Sequence, residues 1–398
     1  MQAWKRPPLP NASPEPRKRT RVGVTSIAVS LTRHPLLWDA MSGVNIARLR
    51  LRNQQIAQHD FRTPAKLVSH LGAVQAQDYA GGKWAIGLRL PNASEADIEA
   101  AIAERVIVRT WPMRGTLHFV PAADVRWMLA LMASRVVAGS AGRYRSLGLD
   151  ERTLERGGEA LAIALAGRRS LTRPELYRAL DEAGIRSADG RGLHIIAHHA
   201  QKGLVCFASH AGKQPTFVLL DEWVPPATML DRDEALAELA KRYFTSHGPA
   251  SLQDFAWWSG LPLRDVRAGA ELAALHIDRM RINGVEYFIG ASTPVQTRDS
   301  HSLHLLPPFD EYTVAYRDRS AAVAAEHKEL ASSGGVFRPI IVVDGQVVGT
   351  WKAIVKNATL EVIPTWFSPD GRLADAAARV PAKRYADVLG LPMSDHAP

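Results

Sequence analysis

The chain of 398 residues contains a single cysteine and lacks any long apolar run. One cysteine excludes an intramolecular disulfide framework and every zinc site built from several cysteines, as is typical of a reducing compartment. Cys206 lies in the apolar stretch 204–207, which predicts a buried strand thiol without catalytic reactivity. No run approaches the roughly 18 to 20 apolar residues that span a bilayer, and the apolar segment 22–31 is short and interrupted by Ser and Thr. These absences predict a cytoplasmic protein with no membrane partner.

The composition is globular and the charge is positive. Hydrophobic residues make up 46% and charged residues 22% of the chain, and this length allows two or three domains. The net charge is +9, and residues 1–40 alone carry seven Lys and Arg against two acidic residues. A positive excess favours an anionic partner, most often a nucleic acid. The Pro-rich, basic segment 1–40 is expected to be a disordered arm, or else an extension upstream of a true start at Met41.

Motifs for several common chemistries are absent. The sequence has no glycine-rich phosphate loop, no kinase signature and no nucleophile elbow. His194, His198 and His199 resemble metal ligands in their spacing, but no further ligand follows at a zinc-site spacing and no His-Glu-x-x-His occurs. We therefore expect no metal and no cofactor, and we interpret these histidines as polar residues of a helix near nucleic acid.

A recurring order of helix and hairpin signals divides the rest of the chain. Helix starts are expected at Thr63, Thr172 and Ser251, each with an apolar residue four positions later and each followed by a further helix and a strand pair. The last pair turns on Asn283-Gly284, the strongest two-residue hairpin signal. Three helices followed by a hairpin form a winged helix, which is a helix-turn-helix with a β wing. We therefore predict an α+β fold with winged helices at 43–122, 123–223 and 224–292, and a C-terminal β-rich domain with a terminal helix at 293–398.

Two glutamines stand where the helical pattern of 67–74 ends, in Val74-Gln75-Ala76-Gln77-Asp78. On an extended backbone Gln75 and Gln77 point to the same side, whereas on a helix they diverge by about 200°. Amides do not act as general bases at neutral pH, but they hold a water molecule or a sugar oxygen in a fixed orientation. The pair therefore suits a reaction whose leaving group is already activated.

Several segments together resemble one known family. They are Gln75-Ala76-Gln77, the segment 109–118 (RTWPMRGTLH), the segment 305–312 (LLPPFDEY), Tyr316-Arg317-Asp318-Arg319, and the pair 338–340 (RPI) and 349–351 (GTW). In this order and spacing they resemble the bacterial winged-helix DNA glycosylases of the AlkZ and YcaQ type. The resemblance covers about residues 43–390. It implies tandem winged helices and a β domain around a concave DNA-binding surface, and excision of alkylated purines or of interstrand crosslinks made through purine N7. The expected partner is double-stranded DNA with such lesions, bound in the nucleoid by a monomer.

The resemblance also implies roles for individual residues. The family has Gln-x-Gln and Gln-x-Asp variants, and this chain has the first, so Gln77 would orient the attacking water while Gln75 contacts the sugar or holds Gln77. Asp78 is adjacent and titratable, and it is the competing candidate for the base. For the remaining residues, core packing, a turn or a solvated surface charge is the alternative. The lesion-pocket candidates are Trp111, Arg114, His118, Asp310 and Tyr312. The DNA-backbone candidates are Arg143, Arg145, Arg168, Arg169, Arg173, Lys202 and Arg317.

A second class of function stays open at this point, namely a non-catalytic winged-helix DNA-binding protein such as a transcriptional regulator. Regulators with this motif usually dimerise on paired half-sites. No long heptad pattern or dimerisation helix is evident in the sequence, which weighs against this class.

Overall fold

The computed structural model of the protein describes residues 44–291, 293–294, 302–368 and 375–394. The predicted basic arm at 1–40 lies outside these residues. At the start of the described chain, the helical pattern from Ile46 would allow a helix to Gln58, but the helix ends at Asn53. It ends there because Gln55 adopts the left-handed backbone region, with a φ of 62°.

The next helices begin at local capping signals, one of which is the predicted start at Thr63. Thr63 is the N-cap of a helix with Pro64 in its first turn, and Ser94 and Asp97 form a reciprocal capping box on a later helix. The elements of this part are α1 (Ile46–Asn53), α2 (Pro64–Leu71), β1 (Val74–Gln75), α3 (Tyr79–Gly87), α4 (Glu95–Ala103), β2 (Ile107–Met113) and β3 (Thr116–Pro121).

The middle of the chain begins with two additional helices, and the order of helices and strands of the first part then repeats. Thr172, a predicted helix start, forms a capping box with Glu175. The elements are α5 (Val125–Gly139), α6 (Ala141–Ser146), α7 (Glu151–Leu165), β4 (Leu171–Thr172), α8 (Arg173–Glu182), α9 (Arg191–Gln201), β5 (Val205–Phe207), β6 (Thr216–Leu219) and α10 (Leu220–Trp223).

The third part ends in the predicted hairpin. Asn283 and Gly284 have φ angles of 50° and 78°, and a tight two-residue turn needs positive φ at both positions. Ser251 and Asp254 form a capping box, and Ala250 just before it pairs with Phe288 of the hairpin in an isolated bridge. The elements are α11 (Arg232–His247), α12 (Leu252–Ser259), α13 (Leu263–Leu272), β7 (Ile277–Ile282) and β8 (Val285–Gly290).

The order helix, short extended segment, helix, helix, hairpin therefore occurs three times, at 64–121, 151–219 and 232–290, which we call units 1, 2 and 3. The predicted alignment of the helix caps needs a correction. Thr172 and Ser251 begin the second helix of their units, whereas Thr63 begins the first helix of unit 1. The residue of unit 1 that corresponds to them is Asp78, the N-cap of α3. A cap signal depends only on one helical turn, so it does not reveal which helix of a unit it starts.

Units 1 and 2 share one β-sheet, which the sequence did not predict. Its strand order is β1-β3-β2-β5-β6-β4, and the two units join where Arg109 of β2 pairs with Phe207 of β5. Strand β1 forms one edge of this sheet, so Gln75 lies at an edge and not in the middle.

The C-terminal residues form a separate sheet, as predicted, which packs against unit 1. Trp84 of α3 donates its indole N–H to the carbonyl oxygen of Leu305 at 2.8 Å, and both residues belong to one buried cluster. The four-stranded sheet has the order β14-β13-β12-β9. The elements are β9 (Leu303–Leu306), α14 (Glu311–Val314), a 3-10 turn (Ala325–His327), α15 (Lys328–Ala331), β10 (Ser332–Ser333), β11 (Val336–Phe337), β12 (Ile340–Val343), β13 (Gln346–Lys356), β14 (Thr359–Trp366) and α16 (Asp375–Leu389).

Contacts among these elements place the described residues in one compact unit, so the boundaries between the four predicted domains stay predictions. Within the described ranges, no helix has both the length and the apolar character needed to cross a membrane.

Candidate active site

Gln75 and Gln77 lie on the extended path between α2 and α3. Gln75 pairs with His118 in the β1–β3 register, and the backbone N–H of Ala76 donates to the carbonyl oxygen of Leu117 at 2.8 Å. Gln75 is buried, with 8% of its surface exposed, whereas Gln77 is exposed to solvent. The chain has therefore left the helix at Gln75, as the spacing of the two amides predicted.

The hydrogen bonds of the two amides determine which of their atoms face outward. The Oε1 atom of Gln77 accepts the backbone N–H of Leu117 at 3.2 Å, and the Oε1 atom of Gln75 faces Nη2 of Arg114 at 3.5 Å. Both neighbouring groups only donate hydrogen bonds, so each glutamine directs its oxygen towards the protein. Gln77 is exposed, and its amide NH2 group has no hydrogen-bond partner among the described residues, so it can donate to a bound molecule, while the second lone pair of its Oε1 atom can accept from a water molecule.

Arg109 holds the residue between the two glutamines. Its Nε and Nη2 atoms donate to the carbonyl oxygen of Ala76 at 3.1 and 2.8 Å. The guanidinium carbon lies 5.1 Å from the ring centroid of Tyr79 and 4.8 Å from that of Phe207, which places the cation between two aromatic faces. Burial lowers the pKa of Arg109 to about 10, so the side chain is still charged at neutral pH. The sequence marked Arg109 only as part of the family-like segment 109–118 and did not predict this contact.

Asp78 has a structural contact that the sequence did not predict. Its carboxylate accepts the backbone N–H of Gly81 at 2.7 Å, which makes it the N-cap of α3. Gly81 fits closely here, because a Cβ atom at this position would lie 3.3 Å from Oδ1 of Asp78 and from the ring of Pro308. Asp78 is exposed, and one of its oxygens is engaged in the cap.

Arg114 lies in the two-residue turn between β2 and β3. Arg114 and Gly115 have φ angles of 54° and 71°, a conformation that usually selects Asn or Gly at the first position. This turn brings the guanidinium towards Gln75 and within 3.4 Å of Nε2 of His118. Its Nε atom is buried and has no hydrogen-bond partner within the described residues. A strained backbone and an unsatisfied donor beside the two glutamines are features of functional sites.

A buried carboxylate, Glu311, lies directly behind Gln75. Its Oε1 atom accepts the backbone N–H of Gln75 at 2.7 Å, and its Oε2 atom accepts the indole N–H of Trp258 at 3.0 Å. Burial by itself would raise the pKa of Glu311, but nearby His247, His118 and Arg114 together bring it below its usual value. The group is therefore an anion at neutral pH. The sequence reasoning missed Glu311, although it stands in the family-like segment 305–312.

Four of the five lesion-pocket candidates lie in the protein interior, and their assignment to a lesion pocket stays a prediction. Trp111 packs on Phe207 with ring centroids 5.0 Å apart, and Asp310 forms a fully buried ion pair with Arg89 at 2.7 Å. Tyr312 donates its hydroxyl to the carbonyl oxygens of Ala47 and Gly345. The sequence could not distinguish these roles, because a polar or aromatic side chain in a site and one in a core look alike until the remote partner is known.

His118 is the fourth buried candidate. Its side chain is inaccessible to solvent, and its Nδ1 atom donates to the carbonyl oxygen of Thr116 at 2.9 Å. Burial, helped by Arg114, lowers the pKa of His118 to about 4, so the imidazole is neutral at neutral pH. His118 therefore supports Arg114 from behind, and Arg114 is the only one of the five candidates that is half-buried rather than buried.

The seven DNA-backbone candidates are all exposed, which phosphate contact requires. Four of them belong to unit 2, on the loop after α7, at the start of α8 and just after α9, and Arg143 and Arg145 lie on α6 before that unit. His198 and His199, in the last turn of α9, are occupied by protein contacts. His199 Nε2 donates to the carbonyl oxygen of Leu154 at 2.8 Å, and His198 Nδ1 lies 3.3 Å from the hydroxyl of Tyr144. In the part of the chain that the structure describes, no three His, Cys, Asp or Glu side chains are grouped to hold a metal ion.

Comparison with known proteins identifies the family and the fold of this chain. A sequence model of the DNA glycosylase AlkZ-like family matches residues 68–388. The chain is 26% identical to an interstrand DNA cross-link repair glycosylase of Streptomyces sahachiroi over 363 residues, which cover 86% of this chain and 95% of that protein. The solved structure of Streptomyces sahachiroi DNA glycosylase AlkZ has the same fold, with a TM-score of 0.72 and 24% identity over 89% of this chain and all of that one. The matched segment contains both glutamines and Glu311, and the chain belongs to the AlkZ-like family of DNA glycosylases.

Proposed function

We propose that the chain is a monofunctional DNA glycosylase that hydrolyses the N-glycosidic bond of N7-alkylated purines. The observation that supports this most directly is the geometry of the two glutamines, with Gln77 exposed and anchored by Leu117 and with Gln75 buried behind it. The non-catalytic regulator considered from the sequence is not favoured, because the family that the chain matches consists of DNA glycosylases.

The proposed chemistry needs no strong base. Alkylation at N7 makes the purine cationic, so the bond between C1′ and N9 breaks with its electron pair leaving on the purine. Water adds its oxygen to C1′ and loses a proton to solvent. Positioning of the water and stabilisation of positive charge at the sugar supply the rate enhancement. Gln77 can orient the water through the free lone pair of Oε1, while its NH2 group contacts a nucleotide oxygen.

The DNA-binding architecture forms part of the proposal. We interpret units 1, 2 and 3 as winged helices, because each contains the order of helices and hairpin that defines this motif. The exposed cations of α6 and of unit 2, together with Arg317, would contact backbone phosphates of duplex DNA, and the protein would act as a monomer. The relative from Streptomyces sahachiroi is a cross-link repair glycosylase, and we propose interstrand crosslinks made through purine N7 as a second substrate class.

The test uses duplex DNA with a single N7-methylguanine and scores abasic sites by cleavage in alkali. Gln77→Ala should slow base release about 100-fold or more, as expected when a group that positions the reacting water is removed. Asp78→Ser is the matched control, because serine keeps the helix cap and removes the carboxylate. We expect it to stay within about threefold of the wild-type rate. If Asp78→Ser lost the activity and Gln77→Ala kept it, the roles would be reversed. Absence of abasic sites with excess wild-type enzyme would refute the proposed function.

A further inference from the structure

Glu311 is a buried carboxylate that takes no direct part in the proposed hydrolysis. Its side chain is completely inaccessible to solvent. It begins the short helix α14, and Asp310 before it is the N-cap of that helix and is held by the buried ion pair with Arg89. A carboxylate in this environment loses its hydration, which is unfavourable unless specific partners replace the water. The groups that donate hydrogen bonds to Glu311 therefore indicate its role.

The partners of Glu311 come from two other parts of the fold. One oxygen accepts the backbone N–H of Gln75 in unit 1 at 2.7 Å. The other accepts the indole N–H of Trp258 in unit 3 at 3.0 Å and lies 3.6 Å from Nε2 of His247. The bond to Gln75 is charge-assisted, and such bonds are shorter and about twice as strong as those between neutral groups. One carboxylate oxygen of Glu311 thus holds the backbone of Gln75, a proposed catalytic residue.

The side chain of Gln75 is linked to the same charge through Arg114. Arg114 and Glu311 attract each other electrostatically, and Nη2 of Arg114 approaches Oε1 of Gln75 at 3.5 Å. His118, which pairs with Gln75 across the two strands, also lies near Arg114. The backbone of Gln75 is held directly by Glu311, and its amide oxygen is held by a cation that Glu311 attracts.

We propose that Glu311 is a positioning residue that fixes the backbone of Gln75 and, through Arg114, the orientation of its side-chain amide for base excision. This inference rests on the proposed function, because Gln75 has no role to support if the chain excises no base. Edge strand β1 contains only Val74 and Gln75, so few ladder hydrogen bonds hold it in place. A strong bond from a rigid, buried residue compensates for this, and misplacement of a reacting group by about 1 Å can cost about 100-fold in rate.

The test compares Glu311→Gln with a matched buried carboxylate elsewhere. Glutamine has nearly the same shape, but it carries no charge, and its NH2 group must face either Gln75 N–H or Trp258 N–H, both of which are donors. The control is Asp124→Asn, because Asp124 is also buried, accepts an indole N–H (from Trp127, at 2.9 Å) and pairs with Arg242. Both changes should lower stability, so stability alone does not separate a positioning role from a purely structural one.

Single-turnover rates with saturating enzyme on N7-methylguanine DNA make the distinction, together with DNA affinity from fluorescence anisotropy. We expect Glu311→Gln to slow excision about 10- to 100-fold with the Kd for DNA within about threefold of wild type. Asp124→Asn should stay within about threefold in both measurements. A Glu311→Gln protein that folds and excises the base at the wild-type rate overturns the inference while leaving the proposed function intact.

Trp258→Phe provides a second variant if Glu311→Gln does not fold. It removes only the indole donor to Oε2 and leaves a similar aromatic ring in the core, so we expect a loss of about three- to tenfold in the single-turnover rate. An unchanged rate in this folded variant also counts against the inference. If the wild-type protein releases no base, both the proposed function and this inference are refuted. An active wild type with an equally active variant refutes only this inference.

Discussion

Arg109 offers a direct test of how the segment between the two glutamines is held in place. Replacement by methionine keeps an unbranched apolar side chain between Tyr79 and Phe207 but removes both donors to the carbonyl oxygen of Ala76, which were at 3.1 and 2.8 Å. A hydrogen bond from a charged group contributes about 1.5 to 3 kcal/mol, and the two bonds share one acceptor, so their contributions do not simply add. We expect Arg109→Met to lower the free energy of unfolding by about 2 to 4 kcal/mol.

The same substitution should also affect excision. Ala76 connects Gln75 to Gln77, so its position affects both side chains. In Arg109→Met the carbonyl oxygen of Ala76 loses both guanidinium donors. We expect the single-turnover rate on N7-methylguanine DNA to fall about tenfold or more, since small displacements of a reacting group have large effects. Urea denaturation and the excision assay, both at neutral pH, measure the two quantities on the same protein preparation.

Arg105→Met is the control for loss of an arginine from the same part of the chain. The guanidinium of Arg105 lies 4.6 Å from the ring centroid of Trp223, a contact that contributes about 0.5 to 1 kcal/mol. This variant should therefore lose no more than about 1 kcal/mol and should keep the wild-type rate. An Arg109→Met protein within about 0.5 kcal/mol of wild type and with unchanged excision would show that Arg109 does not hold the two glutamines.

Two further predictions concern buried charge. Asp310→Ala leaves the guanidinium of Arg89 buried without its carboxylate, so the free energy of unfolding in urea should fall by about 3 to 5 kcal/mol, and a loss below about 1 kcal/mol would contradict the inferred burial of the pair. His118 has a pKa near 4 in the folded protein, whereas an unfolded histidine titrates near pH 6.5, so on acidification the unfolded state binds the proton first. Stability should fall as the pH drops from about 6.5 towards 4, with His118 contributing about 2.5 kcal/mol between pH 7 and pH 4.5. His118→Gln should reduce the loss of unfolding free energy over that range by this amount, and an unchanged slope would refute the assignment.

Features decided within a few residues were predictable from the sequence. The caps at Thr63, Thr172 and Ser251 and the turn at Asn283-Gly284 are present as expected, because each depends on contacts inside one helical turn or one hairpin. The extended path through Gln75 was also predicted, because the spacing of two amides makes sense as a pair only on an extended backbone. One local feature was missed, the cap at Asp78, because its helix lacks both the acidic residue that completes a capping box at Thr172 and Ser251 and the proline that follows Thr63.

Features that depend on remote contacts were decided only by the tertiary structure. Glu311 and Gln75 are 236 residues apart in the chain, and no periodicity or spacing links them. The burial of Trp111 follows in the same way from the strand pairing of Arg109 with Phe207, which joins units 1 and 2 in one sheet. The placement of Asp310 depends equally on a remote partner, Arg89.

The sequence by itself therefore determined the fold class, the local structure around the two glutamines and the family resemblance, because these reside in short segments and their order. It proposed lesion-pocket residues from several segments. The tertiary structure placed four of these five residues in the interior and revealed a buried anion behind Gln75. The physical reason is that burial and charge pairing are properties of packed surfaces, which come into existence only when distant segments meet.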